Sequence, residues 1–146
     1  MEIINGERLV LGTCYYPEHW DESLWRDDLK RMLENGIEVI RIAEFAWSKI
    51  ERYEGVFNYD FFDRFLDVAA DMGMKVIFCT PTATPPAWLT EKYPEVLNAN
   101  MDGVLYRHGG RRHYNYNSPK YQELTRIIVE KSASHYAKHP AIIGWQ

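Results

Sequence analysis

Only two cysteines, Cys14 and Cys79, occur in the 146-residue sequence. They stand far apart, each inside an apolar stretch, which excludes a disulfide-stapled scaffold and points to a reducing, cytoplasmic home. No apolar run approaches the ~20 residues that span a bilayer, so no membrane partner is expected. The opening "MEIINGERLV" lacks a basic region followed by an apolar one and does not read as a secretory signal. Basic charge is not in excess either: 17 Lys and Arg face 21 Asp and Glu, for a formal net charge of -4. That balance leaves no electrostatic footprint for nucleic acid. There is no G-x-G-x-x-G turn, no P-loop, no low-complexity tract and no linker.

Aromatic residues are plentiful at 14%, with ten Tyr and five Trp. Many sit near loops rather than in periodic runs: Tyr15, Tyr16, Trp20, Trp47, Trp88, Tyr106, Tyr114 and Tyr116. Two readings are open. One is an aromatic-rich core. The other is a carbohydrate site, where flat apolar sugar faces lie on aromatic rings while polar groups take the hydroxyls.

Short apolar runs alternate with amphipathic segments along the chain. "RLVLGTCYYP", closed by Pro17, reads as a buried strand. In the next segment Asp21 can cap a helix whose stripe is Leu24, Trp25, Leu29, Met32 and Leu33, and Asn35-Gly36 closes it. "IEVIRIAEF" is a second strand, β-branched enough for a sheet covered on both faces. A loop, "AWSKIERYEGVFN", leads to a helix capped by Asn58, with Phe61, Phe62, Phe65, Leu66, Ala69 and Met72 at helical spacing and Gly73 after it. "MKVIFCTP" is a third strand. The stretch from Thr82 to Asn117 is rich in Pro, Gly, Asn and aromatics, with a short helix expected in "PPAWLTEKYP". Ser118-Pro119 is a cap followed by proline at the first helical position. That helix runs to about Lys138, its inner face marked by Leu124, Ile127, Ile128 and Ser132. "AIIGWQ" is a fourth buried strand.

The order β-α-β-α-β-α-β predicts a parallel sheet with flanking helices. An open doubly wound sheet normally carries a glycine-rich turn after its first strand, and here "TCYYPEHW" stands instead. The other architecture is part of an eight-stranded (β/α)8 barrel, which takes about 250 residues when whole. A barrel keeps its chemistry at the carboxyl ends of its strands. Those ends hold Tyr15, Tyr16, Pro17, Glu18 and His19, then Arg41, Glu44 and Trp47, then Thr80 and Thr82. The long loop adds Arg111, Arg112, His113, Tyr114 and Asn115. Carboxylates, arginines and aromatics together suit a sugar site, although Arg41 and Glu44 paired to close a barrel end explain those two equally well. A loop of that length belongs to a lid or binding segment.

Histidines invite a metal reading. His108 and His113 stand five apart, and His135 and His139 form an i,i+4 pair. No Glu follows His135 in the H-E-x-x-H pattern, so helix-end histidines are the expectation there, and no metal is expected.

Taken together, the segments "GTCYYPEHW", "GIEVIRIAEFAWSKIERYEGVFNYDFFDRFLD", "GMKVIFCTPTATPPAWL", "YPEVL", "RRHYNYNSPKY" and "HPAIIGWQ" resemble the N-terminal part of the glycoside hydrolase family 42 β-galactosidases. They span about Leu11 to Gln146 in order. The resemblance implies that residues 1–146 are the first half of a (β/α)8 catalytic barrel, about four βα units. It implies a β-galactoside substrate, retention of anomeric configuration, no cofactor and, for the intact enzyme, a homotrimer.

Retaining glycosidases need two carboxyl groups about 5–5.5 Å apart, one nucleophile and one acid/base. In the family the acid/base is the Glu of an Asn-Glu pair just after strand four, and the nucleophile ends strand seven. Neither position falls on a Glu of this sequence, so both are expected beyond Gln146, with the 146 residues inactive alone. One substrate residue carries over: Arg111 matches the first Arg of the family's Arg-Arg-His-Tyr motif, which lies in the galactose subsite. Asn115 stands where some members have a zinc-ligating Cys, so no zinc is expected there. Glu44 and Trp47 match typical family positions and are candidates for the catalytic face. Two alternatives stay open: a non-catalytic half-barrel that binds carbohydrate or a partner, and another retaining barrel glycosidase such as an arabinopyranosidase.

Overall fold

The computed structural model describes residues 9–110 and 112–146. They fall into two compact units. The first takes in the described residues through Ala43 together with Tyr59–Cys79 and Tyr136–Gln146. It is built on four parallel strands: β1 (Leu11–Cys14), β2 (Ile37–Ile42), β5 (Lys75–Phe78) and β6 (Ile142–Trp145). Their order across the sheet, β1-β2-β5-β6, is the order in which the chain makes them. A doubly wound sheet reverses direction at a switch point. Here nothing reverses, which is the topology of the first four strands of a (β/α)8 barrel.

Helices α1 (Trp25–Glu34) and α3 (Asp60–Asp71) flank this sheet. Asp21 accepts from Ser23 N at 2.9 Å at the head of a 3₁₀ turn over Glu22–Leu24, so the expected cap is real but opens that turn. Trp25 and Leu29 of α1 are buried, as are Phe62, Phe65, Leu66 and Ala69 of α3 and Ile40, Ile42, Val76 and Phe78 of the strands. Trp25 meets Phe61 and Phe65 edge to face, with centroids 5.2 Å apart in both pairs. Each fully buried apolar side chain of this size contributes about 1.5–3 kcal/mol. Gly12 is a packing requirement, because a Cβ there would stand 3.0 Å from the Val39 carbonyl oxygen.

Two expectations need correction here. β1 is exposed along its whole length and β6 is only half-buried, whereas both were expected to be buried. The reason is position: each lies at an edge of the four-stranded sheet with a single strand beside it. Helix α3 starts after Tyr59 rather than Asn58, and Tyr59 supplies no side-chain cap.

The second unit takes in Glu44–Asn58 and the described residues of Thr80–His135. The segment expected to be a loop folds into a one-turn helix, α2 (Trp47–Ile50), and a small antiparallel hairpin of β3 (Glu51–Tyr53) and β4 (Val56–Phe57). Gly55 supplies the positive φ of 78° that its two-residue turn requires. Helix α4 (Ala87–Lys92) occurs where the prolines predict it. Beyond it, the bridges Leu97↔Tyr114 and Ala99↔Leu105 tie the long loop back on itself. Helix α5 (Pro119–Tyr136) begins at the expected proline, with Ser118 Oγ accepting from Tyr121 N at 3.4 Å, and ends two residues before the expected Lys138. Its buried residues in this unit are Tyr121, Leu124, Ile128 and Ser132. No helix among the described residues is long and apolar enough to cross a membrane.

Candidate functional site

In the sheet unit, four strand ends meet around one guanidinium. Arg41, at the end of β2, directs Nε and Nη2 at Cys14 Sγ, 3.3 and 3.0 Å away. Its Nη1 donates to Gln146 Oε1 at 2.7 Å and lies 4.0 Å from Cys79 Sγ. The planar fork of donors suits this role, since one side chain satisfies groups from several strands. Neither cysteine is in a disulfide. The sheet order itself forbids their pairing: β2 separates the strands that carry them, so their Cα atoms stand about two strand spacings, ~9.5 Å, apart, beyond disulfide reach. Beside β1, a hollow of about 400 Å³ is lined by Tyr16, His19, Trp20, Leu24 and Met32, among others. Tyr15 also lines it, is buried, and donates its hydroxyl to Asp28 Oδ2 at 2.8 Å. Burial is the main cause, and the Asp28 carboxylate the second, that holds this phenol well above its ordinary pKa.

The second unit holds a cavity that brings charged, polar and aromatic groups together. Its volume is about 350 Å³, at the small end of the ~300–1,000 Å³ typical of small-molecule sites. Glu44, Phe45, Thr84, Arg112, Tyr114 and Tyr116 line it, with the backbone of Gly109 and Gly110. Charge of both signs therefore faces aromatic surface. Arg112 has φ of 59°, in the left-handed region that an L residue occupies only at a cost. Thr84 Oγ1 is buried and has no hydrogen-bond partner among the described residues, a state that buried hydroxyls rarely keep.

Neighbouring groups fix these walls. Tyr114 is buried and stacks on Tyr121 with centroids 4.7 Å apart and planes at 21°. Tyr121 donates its hydroxyl to the Thr82 carbonyl at 2.8 Å, and burial pushes its pKa up to about 12. His113 is buried, with Nδ1 on the Gly110 carbonyl, which sets it as the donor nitrogen. His108 meets Thr90 Oγ1 at 3.0 Å and packs edge-on to His113 at 5.0 Å. Burial of its ring, and next the charge of His113, hold His108 below its ordinary pKa.

The sequence candidates separate clearly. Glu44 lines the cavity. Trp47 does not: it has no exposure, and its Nε1 donates to Glu51 Oε2 at 2.7 Å in the core. Arg111 lies outside the described residues. Asn115 closes a turn, with Oδ1 accepting from Asn117 N at 2.9 Å. His139 Nε2 lies 3.7 Å from Asp67 Oδ1. Among the described residues, no three His, Cys, Asp or Glu side chains gather as a metal site requires. Phe45 and Thr84 were missed by sequence reasoning. Thr84 carries one faint signal, a threonine just ahead of Pro85-Pro86 in the long loop.

The sequential parallel sheet and the amphipathic cavity bear directly on family membership. The family model described as Beta-galactosidase, glycoside hydrolase family 42, matches residues 14–146. The chain belongs to this family. It is 45% identical over 137 residues to a β-galactosidase of a Thermus species, a match covering 94% of this chain and 21% of that protein. The crystal structure of β-galactosidase from the psychrophilic Marinomonas ef1 superposes with a TM-score of 0.91 at 43% identity, over 94% of this chain and 21% of that one. A β-galactosidase structure from Bacillus circulans sp. alkalophilus gives a TM-score of 0.92 at 31% identity, over 99% of this chain and 22% of that one. This family 42 chain thus spans about a fifth of the length of the relatives it matches.

Proposed function

We propose that these residues are part of a retaining β-galactosidase that hydrolyses terminal β-D-galactosides by double displacement. The observation that carries this reading is the 45% identity to a β-galactosidase over 137 residues. The chain supplies four strands of the catalytic barrel and part of the galactoside site, with Arg111 binding the sugar and Glu44 shaping the catalytic face. Trp47 supports that face from the core. In this reading the acid/base and the nucleophile lie outside the 146 residues. The intact enzyme works in the cytoplasm as a homotrimer.

Two residues that act as a unit cannot be replaced by binding groups alone, so the 146-residue chain binds galactosides without turning them over. The test pairs an aryl β-galactoside assay with a titration by isopropyl thio-β-galactoside, which resists hydrolysis. Saturable binding of the thiogalactoside, weak binding of the matching glucoside and no hydrolysis are expected. Arg111→Ala should weaken binding about tenfold or more, the scale of one charge-assisted hydrogen bond. Measurable hydrolysis by the chain would overturn the placement of the catalytic carboxylates. Equal affinity for the glucoside would overturn the galactoside reading.

A further inference from the structure

We infer that Tyr116 is the platform on which a pyranose ring of the galactoside stacks, which makes it a positioning residue for the substrate. The inference rests on the galactosidase reading above. Tyr116 lines the cavity yet is 60% exposed. Exposure of this kind is common for a tyrosine, but this ring is also braced. It meets Tyr114 at 5.1 Å with planes at 76° and Tyr121 at 6.2 Å with planes at 84°. Its hydroxyl lies 3.4 Å from the Tyr114 hydroxyl, and its carbonyl accepts from Gln122 Nε2 at 2.9 Å. Tyr114 and Tyr121 are themselves buried and stacked. Side chain and backbone are thus held in place before any ligand arrives, and pre-organisation of this kind lowers the entropy cost of binding.

The rest of the cavity selects the ligand class. Glu44 and Arg112 place one acceptor-only and one donor-only group in the same cavity as Phe45, Tyr114 and Tyr116. A purely apolar ligand would cover polar surface of Glu44 and Arg112 while offering it no hydrogen bond. An anionic ligand would meet Glu44 unfavourably. A pyranose fits both demands, because its axial C–H face is apolar while its rim carries hydroxyls that donate to a carboxylate and accept from a guanidinium. The face of a tyrosine ring carries negative charge density, which complements polarised C–H groups.

The test uses the 146-residue chain and lactose, followed by the sugar's proton NMR signals and by calorimetry. Stacking places sugar C–H protons in the ring current of Tyr116, so their signals should move upfield on binding. Tyr116→Phe keeps the ring and should keep both the upfield shift and the affinity, within about twofold. Tyr116→Ala should lose the shift and weaken binding about fivefold to tenfold, the scale of one aromatic contact. Tyr116→Leu keeps apolar bulk without a ring current. It should also lose the shift, with an intermediate affinity. Because the side chain is mostly exposed, the three variants should melt close to the wild type, which separates binding from folding. If the wild type binds lactose while Tyr116→Ala binds as tightly with the same proton shifts, the platform is wrong and the galactosidase reading stands. If the wild type binds no galactoside, the platform falls, while the galactosidase reading, which rests on sequence identity, is judged by the activity of the intact enzyme. Stacking of adenosine as tight as that of lactose would also overturn the assignment to a sugar.

Discussion

Arg41 Nη1 donates to Gln146 Oε1 at 2.7 Å, joining residues 105 apart in sequence across the ends of β2 and β6. The same guanidinium reaches Cys14 through its other two nitrogens. Lysine offers a single ammonium on a flexible stem and cannot span both sides at once. Arg41→Lys is therefore expected to lower stability by about 1–2 kcal/mol, with discounting for the exposure of these contacts. Urea denaturation followed by tryptophan fluorescence measures this. An unchanged midpoint would mean that the strand ends hold together without the arginine.

Trp47 and Glu51 form the second relationship with a measurable cost. Both residues are at most 2% exposed, and Glu51 also accepts from Gly55 N at 2.8 Å through its other oxygen. Burial raises the Glu51 pKa above 4.5, while the bonds from Trp47 and Gly55 pull it back and the Glu54 charge adds to the rise. Trp47→Phe removes one of those donors and should cost about 2–3 kcal/mol near neutral pH. A raised carboxyl favours folding fully below its unfolded value, and that advantage is lost as pH rises through the folded value. The variant, with Glu51 raised further, should therefore recover relative to wild type as pH falls toward 4.5. A penalty independent of pH would assign the loss to packing alone.

Much of the barrel topology was legible because its signals are local. The apolar strand runs, the Ser118-Pro119 helix start and the stripe of Phe62, Phe65, Leu66 and Ala69 each follow from neighbours a few residues away. What sequence could not carry was lateral position. β1 and β6 have the composition of buried strands, yet exposure depends on which strand lies beside them, and nothing in "LGTC" encodes that. The β3–β4 hairpin escaped because strands of three and two residues are too short to show a period of two. The Glu54-Gly55 turn was its one available sign. The cavity was only half legible. Glu44, Arg112 and Tyr114 stood out by type, whereas Phe45 and Thr84 matter by where separate loops bring them.

Arg112 offers a test of stored backbone strain. Its φ of 59° suits glycine better than any residue with a Cβ. Arg112→Gly is expected to be more stable than Arg112→Ala by about 0.5–1 kcal/mol, since relief of strain outweighs glycine's larger unfolded entropy. Both should weaken thiogalactoside binding, because both remove the guanidinium from the cavity. Paired urea curves settle the order, and an alanine variant at least as stable as the glycine one would show the conformation to be unstrained.

The exposed edge of β1 predicts association. Leu11 is 57% exposed, and one edge of its strand pairs with no strand among the described residues. Such an edge templates pairing with another copy, and a charged side chain blunts it. Sedimentation velocity on the 146-residue chain should show concentration-dependent self-association, reduced by Leu11→Lys. A wild type that stays monomeric at high concentration would contradict this.

His108 should make the wall of the cavity sensitive to acid. The residue lies next to Gly109 and Gly110, and its Nδ1 is 3.0 Å from Thr90 Oγ1 while its ring packs on His113. Partial burial of the ring and the neighbouring His113 lower its pKa from the ordinary 6.5. The unfolded chain then takes up a proton at a higher pH than the folded one. The stabilising contribution is complete above about 6.5 and is lost as pH falls through the folded value. His108→Gln removes the titration while keeping a hydrogen-bonding group near Thr90. Its melting temperature should therefore lie furthest below wild type above pH 6.5 and converge with it at lower pH. Thiogalactoside affinity of the wild type should weaken over the same interval, because the loop that carries Gly109 and Gly110 loosens with it. Parallel melting curves for the two proteins from pH 5 to 8 would show that His108 does not titrate in this range with any structural consequence.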